Sequence, residues 1–159
     1  MLNTLKNSLL AATLLGASAA NADQLKVVTY NPAEKGIFPV SSTLVTGDKE
    51  AILVDAQFRL DDGKALVAMI RASGKRLTTI YISGGDPDYY FGLEPIVEAF
   101  PNAKVVASSS VVDHIRKTKE GKLGYWGPIL GAQAPTKLIV PGVSDETRLT
   151  LEGNTIEVR

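Results

Sequence analysis

Cysteine is absent from the 159 residues, and histidine and tryptophan occur once each, as His114 and Trp126. Without cysteine there is neither a disulfide framework nor a thiolate-ligated metal centre. A single histidine confines imidazole chemistry to one ring, the tightest restriction the composition sets. Neither sign of charge is in excess: 17 Lys and Arg face 17 Asp and Glu, so no basic field draws the chain to nucleic acid or to an anionic membrane surface. Nucleic acid is therefore not an expected partner. Long apolar runs are lacking too, and the one around residues 9–15 falls well short of the roughly 20 residues that span a bilayer.

That run has another reading. Lys6 precedes it, and the small residues Ala17, Ser18, Ala19, Ala20 and Ala22 follow it before the polar Asp23 and Gln24. One basic residue, a short apolar core and small residues at the cleavage positions predict a secretory signal peptide over residues 1–22, cleaved after Ala22. The mature chain is then exported, to the periplasm of a double-membraned cell, and has no membrane span. Residues 23–159 make one domain, long enough to bury roughly two thirds of the surface that its unfolded form would expose.

Along that domain the hydrophobic period alternates between two and 3.6. Strands are predicted at 25–30, 42–46 and 51–55, the last two joined by Gly47-Asp48-Lys49-Glu50 as a hairpin. A helix starts near Asp61, with Leu66, Met69 and Ile70 on one face, and stops at Ser73-Gly74. Then come a strand at 77–82, a helix at 93–100 halted by Pro101, a strand at 103–107, and a helix at 111–119 capped by the serines 108–110. Residues 120–135, with several glycines and prolines, read as a surface loop carrying Tyr125 and Trp126. A strand at 137–140 and a hairpin built on Glu152-Gly153-Asn154 complete the chain. This order predicts an α/β fold: a mixed sheet with helices on one face. Strands such as 52–54 and 80–82 are apolar without alternation, as in strands buried on both faces. Nothing obvious covers the second face, so self-association or a partner is expected there.

Chemistry-bearing residues gather in one place. Strand 77–82 runs into Ser83-Gly84-Gly85-Asp86-Pro87-Asp88-Tyr89-Tyr90-Phe91-Gly92, at the carboxyl end of a sheet strand where open α/β sheets hold ligands. Asp86 and Asp88 can offer oxygens to a hard cation, Mg²⁺ or Ca²⁺, and Gly84 and Gly85 allow close backbone approach. The same residues also suit a plain helix cap and turn. Other combinations are weaker. No phosphate-binding glycine pattern is present. Asp113 and His114 are adjacent and point about 100° apart on a helix, so they cannot orient one another behind a serine nucleophile. His114 reads as a partly exposed helix residue.

Asp55 after a hairpin, then a helix, then Ser83, Gly85, Pro87, Asp88, Tyr90, Phe91 and Gly92 after a strand, together resemble the first half of the metallo-β-lactamase superfamily. The resemblance covers residues 25–159 but only the amino-terminal half of the usual domain. It implies half of an αβ/βα sandwich and a zinc-dependent hydrolase of ester, thioester or lactam bonds. The family's His-x-His-x-Asp-His ligands fall on Gly84, Asp86, Asp88 and Tyr89, so only Asp88 matches; Asp55 matches the residue that supports the metal loop, with Gly84, Gly85 and Gly92 as further loop support. Asp86 and Asp88 are then candidate metal ligands, with Tyr89 a third. Tetrahedral zinc calls for three or four nitrogen, sulfur or carboxylate ligands, and without a metal to lower its pKa water is a poor nucleophile. The resemblance thus predicts a truncated and inactive member. The alternatives are a hydrolase completed by another chain and a non-catalytic periplasmic binding or scaffold module.

Overall fold

The computed structural model describes residues 24–158. The leader predicted over residues 1–22 lies outside the described residues. Among the described residues, no helix is long and apolar enough to cross a membrane.

The fold starts with an antiparallel run, β1 (Lys26–Tyr30), β2 (Ser42–Thr46) and β3 (Glu50–Val54). After α1 (Leu60–Ser73) the chain returns as β4 (Arg76–Tyr81), parallel to β3. Two short helices follow, α2 (Pro87–Tyr90) and α3 (Leu93–Ala99), then β5 (Lys104–Ala107), α4 (Ser109–Leu130) and β6 (Gly142–Val143). The six strands lie in sequence order in one mixed sheet, with β4, β5 and β6 parallel. A separate hairpin, β7 (Arg148–Leu151) and β8 (Asn154–Glu157), ends the described chain.

Side-chain alternation divides the sheet into two apolar faces. On one face, Leu44, Leu53, Ile80 and Ile82 pack with Leu66 and Ile70 of α1, Leu93 and Ile96 of α3, and Val112 and Ile115 of α4 in a single buried cluster. Each such side chain contributes about 1.5–3 kcal/mol on leaving water, which makes this helix-covered face the main source of stability. On the other face, Val45, Ile52 and Tyr81 meet Leu149 and Leu151 of the terminal hairpin. The second face is therefore not bare, as the sequence had suggested: the hairpin covers its centre. Glu152, at the β7–β8 turn, fixes the hairpin there by accepting the backbone N–H groups of Asp48 (2.7 Å), Lys49 (2.6 Å) and Glu50 (2.6 Å).

Two other expectations are corrected. Residues 120–135 are not a loop: α4 continues to Leu130 in spite of Gly121, Gly124, Gly127 and Pro128, and a 3₁₀ turn spans Gly131–Gln133. The first turn of α4 is capped as expected, Ser108 Oγ accepting from Val111 N–H at 3.4 Å. The strand placed at 137–140 lies further on, at Gly142–Val143, where the backbone pairs with Val106 and Ala107. Leu138, Ile139 and Val140 instead lay their side chains against the helix-side core.

Candidate functional site

The carboxyl ends of β3, β4 and β5 meet at one edge of the sheet, and the connections leaving them build the site. The chain leaves β3 through Asp55, Ala56 and Gln57, of which Asp55 (φ 62°) and Gln57 (φ 71°) are in the left-handed region. Such backbone costs a non-glycine residue about 1–2 kcal/mol, so the surroundings must hold it. They do: Asp55 N–H donates to Tyr81 O (2.9 Å), Ala56 N–H to Tyr89 O (2.7 Å), and Gly92 N–H to Gln57 O (2.9 Å). Gln57 itself is buried and donates to Val40 O (2.9 Å) and Ser42 Oγ (2.8 Å).

Asp55 is the buried keystone of this base. Its carboxylate accepts from Ser83 N–H (Oδ1, 2.7 Å) and from the Ser83 hydroxyl (Oδ2, 2.7 Å), which ties the exit of β3 to the start of the turn. Burial pushes its carboxyl up to about 6, although the two Ser83 hydrogen bonds pull the other way. Gly92 closes the far end of the turn, where a Cβ would stand 2.2 Å from Ala56 O. Asp55 thus ties the exit of β3 to the start of the turn, and Gly92 sits where its far end meets the Ala56 backbone.

The tip of the turn has a different construction. A Cβ on Gly84 would come within 2.7 Å of the Tyr89 ring, and one on Gly85 within 2.6 Å of His114 Cδ2. The two glycines therefore let an aromatic ring and an imidazole close down on the backbone. Asp86, the residue before α2, makes no side-chain cap hydrogen bond. Its carboxylate faces α4 instead, where Lys122 Nζ donates to Asp86 Oδ1 (2.7 Å) and to Gly85 O (2.9 Å) and stands 2.8 Å from His114 Nε2. His114 Nε2 is also 3.8 Å from Asp86 Oδ1. The Lys122 hydrogen bond and charge hold the Asp86 carboxyl below the usual carboxylate range. Asp88 is shifted oppositely: burial raises its carboxyl, and the charge of Asp86 adds to that rise. Beneath them Tyr90 is fully buried, and its hydroxyl has no hydrogen-bond partner among the described residues.

His114 and Lys122 were not foreseen as members of the site. His114 is a half-exposed helix residue, as expected, but two helical turns bring Lys122 beside it, and both reach the turn. The signal was present in their spacing of eight on one helix; it was hidden because residues 120–135 read as a loop.

The zinc that the resemblance implies can be tested against these donors. Gly84 brings no ligand, Tyr89 spreads its ring over Gly84, and Asp86 is already paired with an ammonium. Among the described residues, no three His, Asp or Glu side chains lie close enough together to hold a metal. The donor set of this turn, as arranged, does not fit a tetrahedral zinc site.

Residues 36–158 match the sequence pattern of the Metallo-beta-lactamase superfamily. Similar folds occur in BLEG-1, a B3 metallo-beta-lactamase (TM-score 0.55, 16% identity, covering 84% of this chain and 59% of that one), and in MEM-A1, a subclass B3 metallo-beta-lactamase from a soil metagenome library (0.55, 18%, 81% and 48%). The FEZ-1 metallo-beta-lactamase from Legionella gormanii is another (0.54, 20%, 72% and 44%). At these identities the likeness is one of fold. The chain spans about half the length of these structures, between 44% and 59%. No curated protein matches it. The pattern match over residues 36–158 and the partial αβ/βα architecture agree: the chain belongs to the metallo-β-lactamase superfamily.

Proposed function

We propose that this chain is an exported, non-catalytic member of its superfamily, in which the turn that typically binds zinc is held by an internal ion pair instead. One observation carries the reading: Asp86, at a position that the family gives to a metal-ligating histidine, accepts from Lys122 Nζ at 2.7 Å. A bound ammonium and a divalent ion compete for the same carboxylate, and the remaining ligand positions hold Gly84, Tyr89 and the half-buried Asp88. Hydrolysis of lactams, esters or thioesters by this family's route requires a metal-activated water. Export rests on the leader pattern of residues 1–22.

The test is metal content of the purified mature protein alongside hydrolysis of a chromogenic cephalosporin and a thioester. We expect substoichiometric zinc and no turnover above the uncatalysed rate. Stoichiometric zinc that disappears in Asp88→Ala would overturn the reading.

A second reading is a hydrolase whose ligands are completed by another chain. The Asp55–Ser83 support beneath the turn favours it. Mg²⁺ or Ca²⁺ would then suit the oxygens of Asp86 and Asp88 better than zinc. The binding-module alternative rests on the flank of the hairpin-covered face, where Val27 is 62% exposed beside Val45. Self-association through that flank predicts a concentration-dependent sedimentation coefficient, and a compact monomer at all concentrations would remove it.

A further inference from the structure

We propose that Gly85 O, Asp86 Oδ1 and His114 Nε2 form a cation site that the chain fills with its own Lys122 ammonium, and that a divalent transition metal enters once that ammonium is withdrawn. The inference goes beyond the reading above because it concerns His114, which lies outside the turn and outside the family's ligand positions.

A lysine ammonium has three N–H donors and no acceptor. Here three acceptors of different chemistry surround it: a carbonyl at 2.9 Å, a carboxylate at 2.7 Å and an imidazole nitrogen at 2.8 Å. With the ring proton on Nδ1, His114 presents an Nε2 lone pair to the ammonium. A neutral imidazole presenting Nε2 is also what a metal ion takes.

The spacing suits a smaller and more highly charged ion. His114 Nε2 and Asp86 Oδ1 are 3.8 Å apart, less than twice the metal–ligand distance of about 2.1 Å, so one ion can touch both at an open angle. Gly85 O adds a third donor, and solvent reaches the cluster because the Asp86 and His114 side chains are 65% and 51% exposed. An imidazole–carboxylate–carbonyl set, completed by water, suits six-coordinate Ni²⁺ or Co²⁺ better than tetrahedral zinc or the alkaline earths. Gly85 is a second, independent indication of a built site: any Cβ there would stand 2.6 Å from His114 Cδ2 and push the imidazole off the turn.

Because His114 is the only histidine, its ring protons report the site without ambiguity. The experiment titrates wild type, Lys122→Met, and Lys122→Met combined with either Asp86→Asn or Gly85→Ala, using Co²⁺ or Ni²⁺ alone. Paramagnetic broadening of the His114 ring signals and the fluorescence of Trp126, one helical turn from residue 122, are followed. In Lys122→Met, broadening should require about tenfold or more less metal than in wild type, and each double variant should lose most of that gain. If wild type and Lys122→Met titrate alike, or if the double variants bind as well as the single one, the inference falls. Should Lys122→Met fail to fold by circular dichroism, Lys122→Gln, which keeps a donor for Gly85 O, carries the same comparison. Stoichiometric zinc in wild type that Asp88→Ala removes and His114→Ala leaves in place would overturn the proposed function and leave this inference standing.

Discussion

The base and the tip of one turn are governed by different physics. At the base, Asp55 holds Ser83 through two short hydrogen bonds, and Gly92 lets two backbone segments approach closely enough that a Cβ would stand 2.2 Å from Ala56 O. At the tip, the contacts are side chain against side chain: Tyr89 over Gly84, His114 over Gly85, and Lys122 on Asp86. A backbone contact cannot relax without moving β3 or α3, whereas rings and ammonium groups on an exposed edge can swing away. The base is thus fixed by the packing of the fold itself, and the tip can rearrange without moving that frame.

The sharpest test of this contrast is the same substitution at both ends. Gly92→Ala should destabilise by about 3 kcal/mol or more, because the new methyl meets backbone on a packed loop. Gly84→Ala meets only the edge of the Tyr89 ring, and should cost at most about 1 kcal/mol as that ring turns outward. Equal losses in denaturant melts would break the distinction.

Asp55 gives a pH signature next in size. Its folded pKa, about 6, lies above the ordinary 3.8, so the unfolded chain gives up this proton first as pH rises. The stabilising contribution of the neutral group is complete below about pH 4 and is lost as pH rises through 6, on the order of 2–3 kcal/mol for a group this deeply buried. Asp88, also raised, adds to the same slope. Asp86, Glu94 and Glu152 are held low, so their contributions are lost on acidification below their ordinary range and fall outside this window. Asp55→Asn should flatten the slope of unfolding free energy between pH 4 and 7 most, and Asp86→Asn should flatten it slightly, by removing the charge that adds to the rise on Asp88. The smallest global effect is expected from Glu152→Gln, which weakens three hydrogen bonds at the surface. Its mark should be local: faster amide hydrogen exchange at Asp48, Lys49 and Glu50 and along β7, with the helix-side core unchanged.

The same contrast explains what was legible in the sequence. Alternating or continuous apolar runs bounded by glycine and asparagine turns located β1 to β5 and the terminal hairpin, because those elements obey local rules. The second half of α4 does not. Three glycines at about 1 kcal/mol each, together with Pro128, argue against a helix there. It is sustained from outside, by Lys122 on the turn and by Trp126, whose ring meets Phe58 at 5.2 Å and Phe38 at 5.4 Å. Missing that helix hid Lys122 from the site. The strand at β6 was misplaced for a related reason: Leu138, Ile139 and Val140 have strand-like composition but spend it on core packing, and Pro141 separates them from the two residues that pair. The cover on the second face is not legible in the sequence, because nothing in the local pattern of β7 and β8 tells which surface they meet.

The Glu152 clamp also bears on the order of events as the chain folds. It joins positions 102 to 104 residues apart in sequence, and contacts of that separation form late, since a long loop must close before they repay it. The helix-covered face can assemble from neighbouring elements, β3 with α1 and β4, and β4 with α3 and β5. Ile52 and Tyr81 on the opposite face stay wet until the hairpin swings back. During synthesis and refolding the helix-covered side of the sheet can therefore be complete while the other is still an open apolar surface, until Leu149 and Leu151 return to Val45, Ile52 and Tyr81.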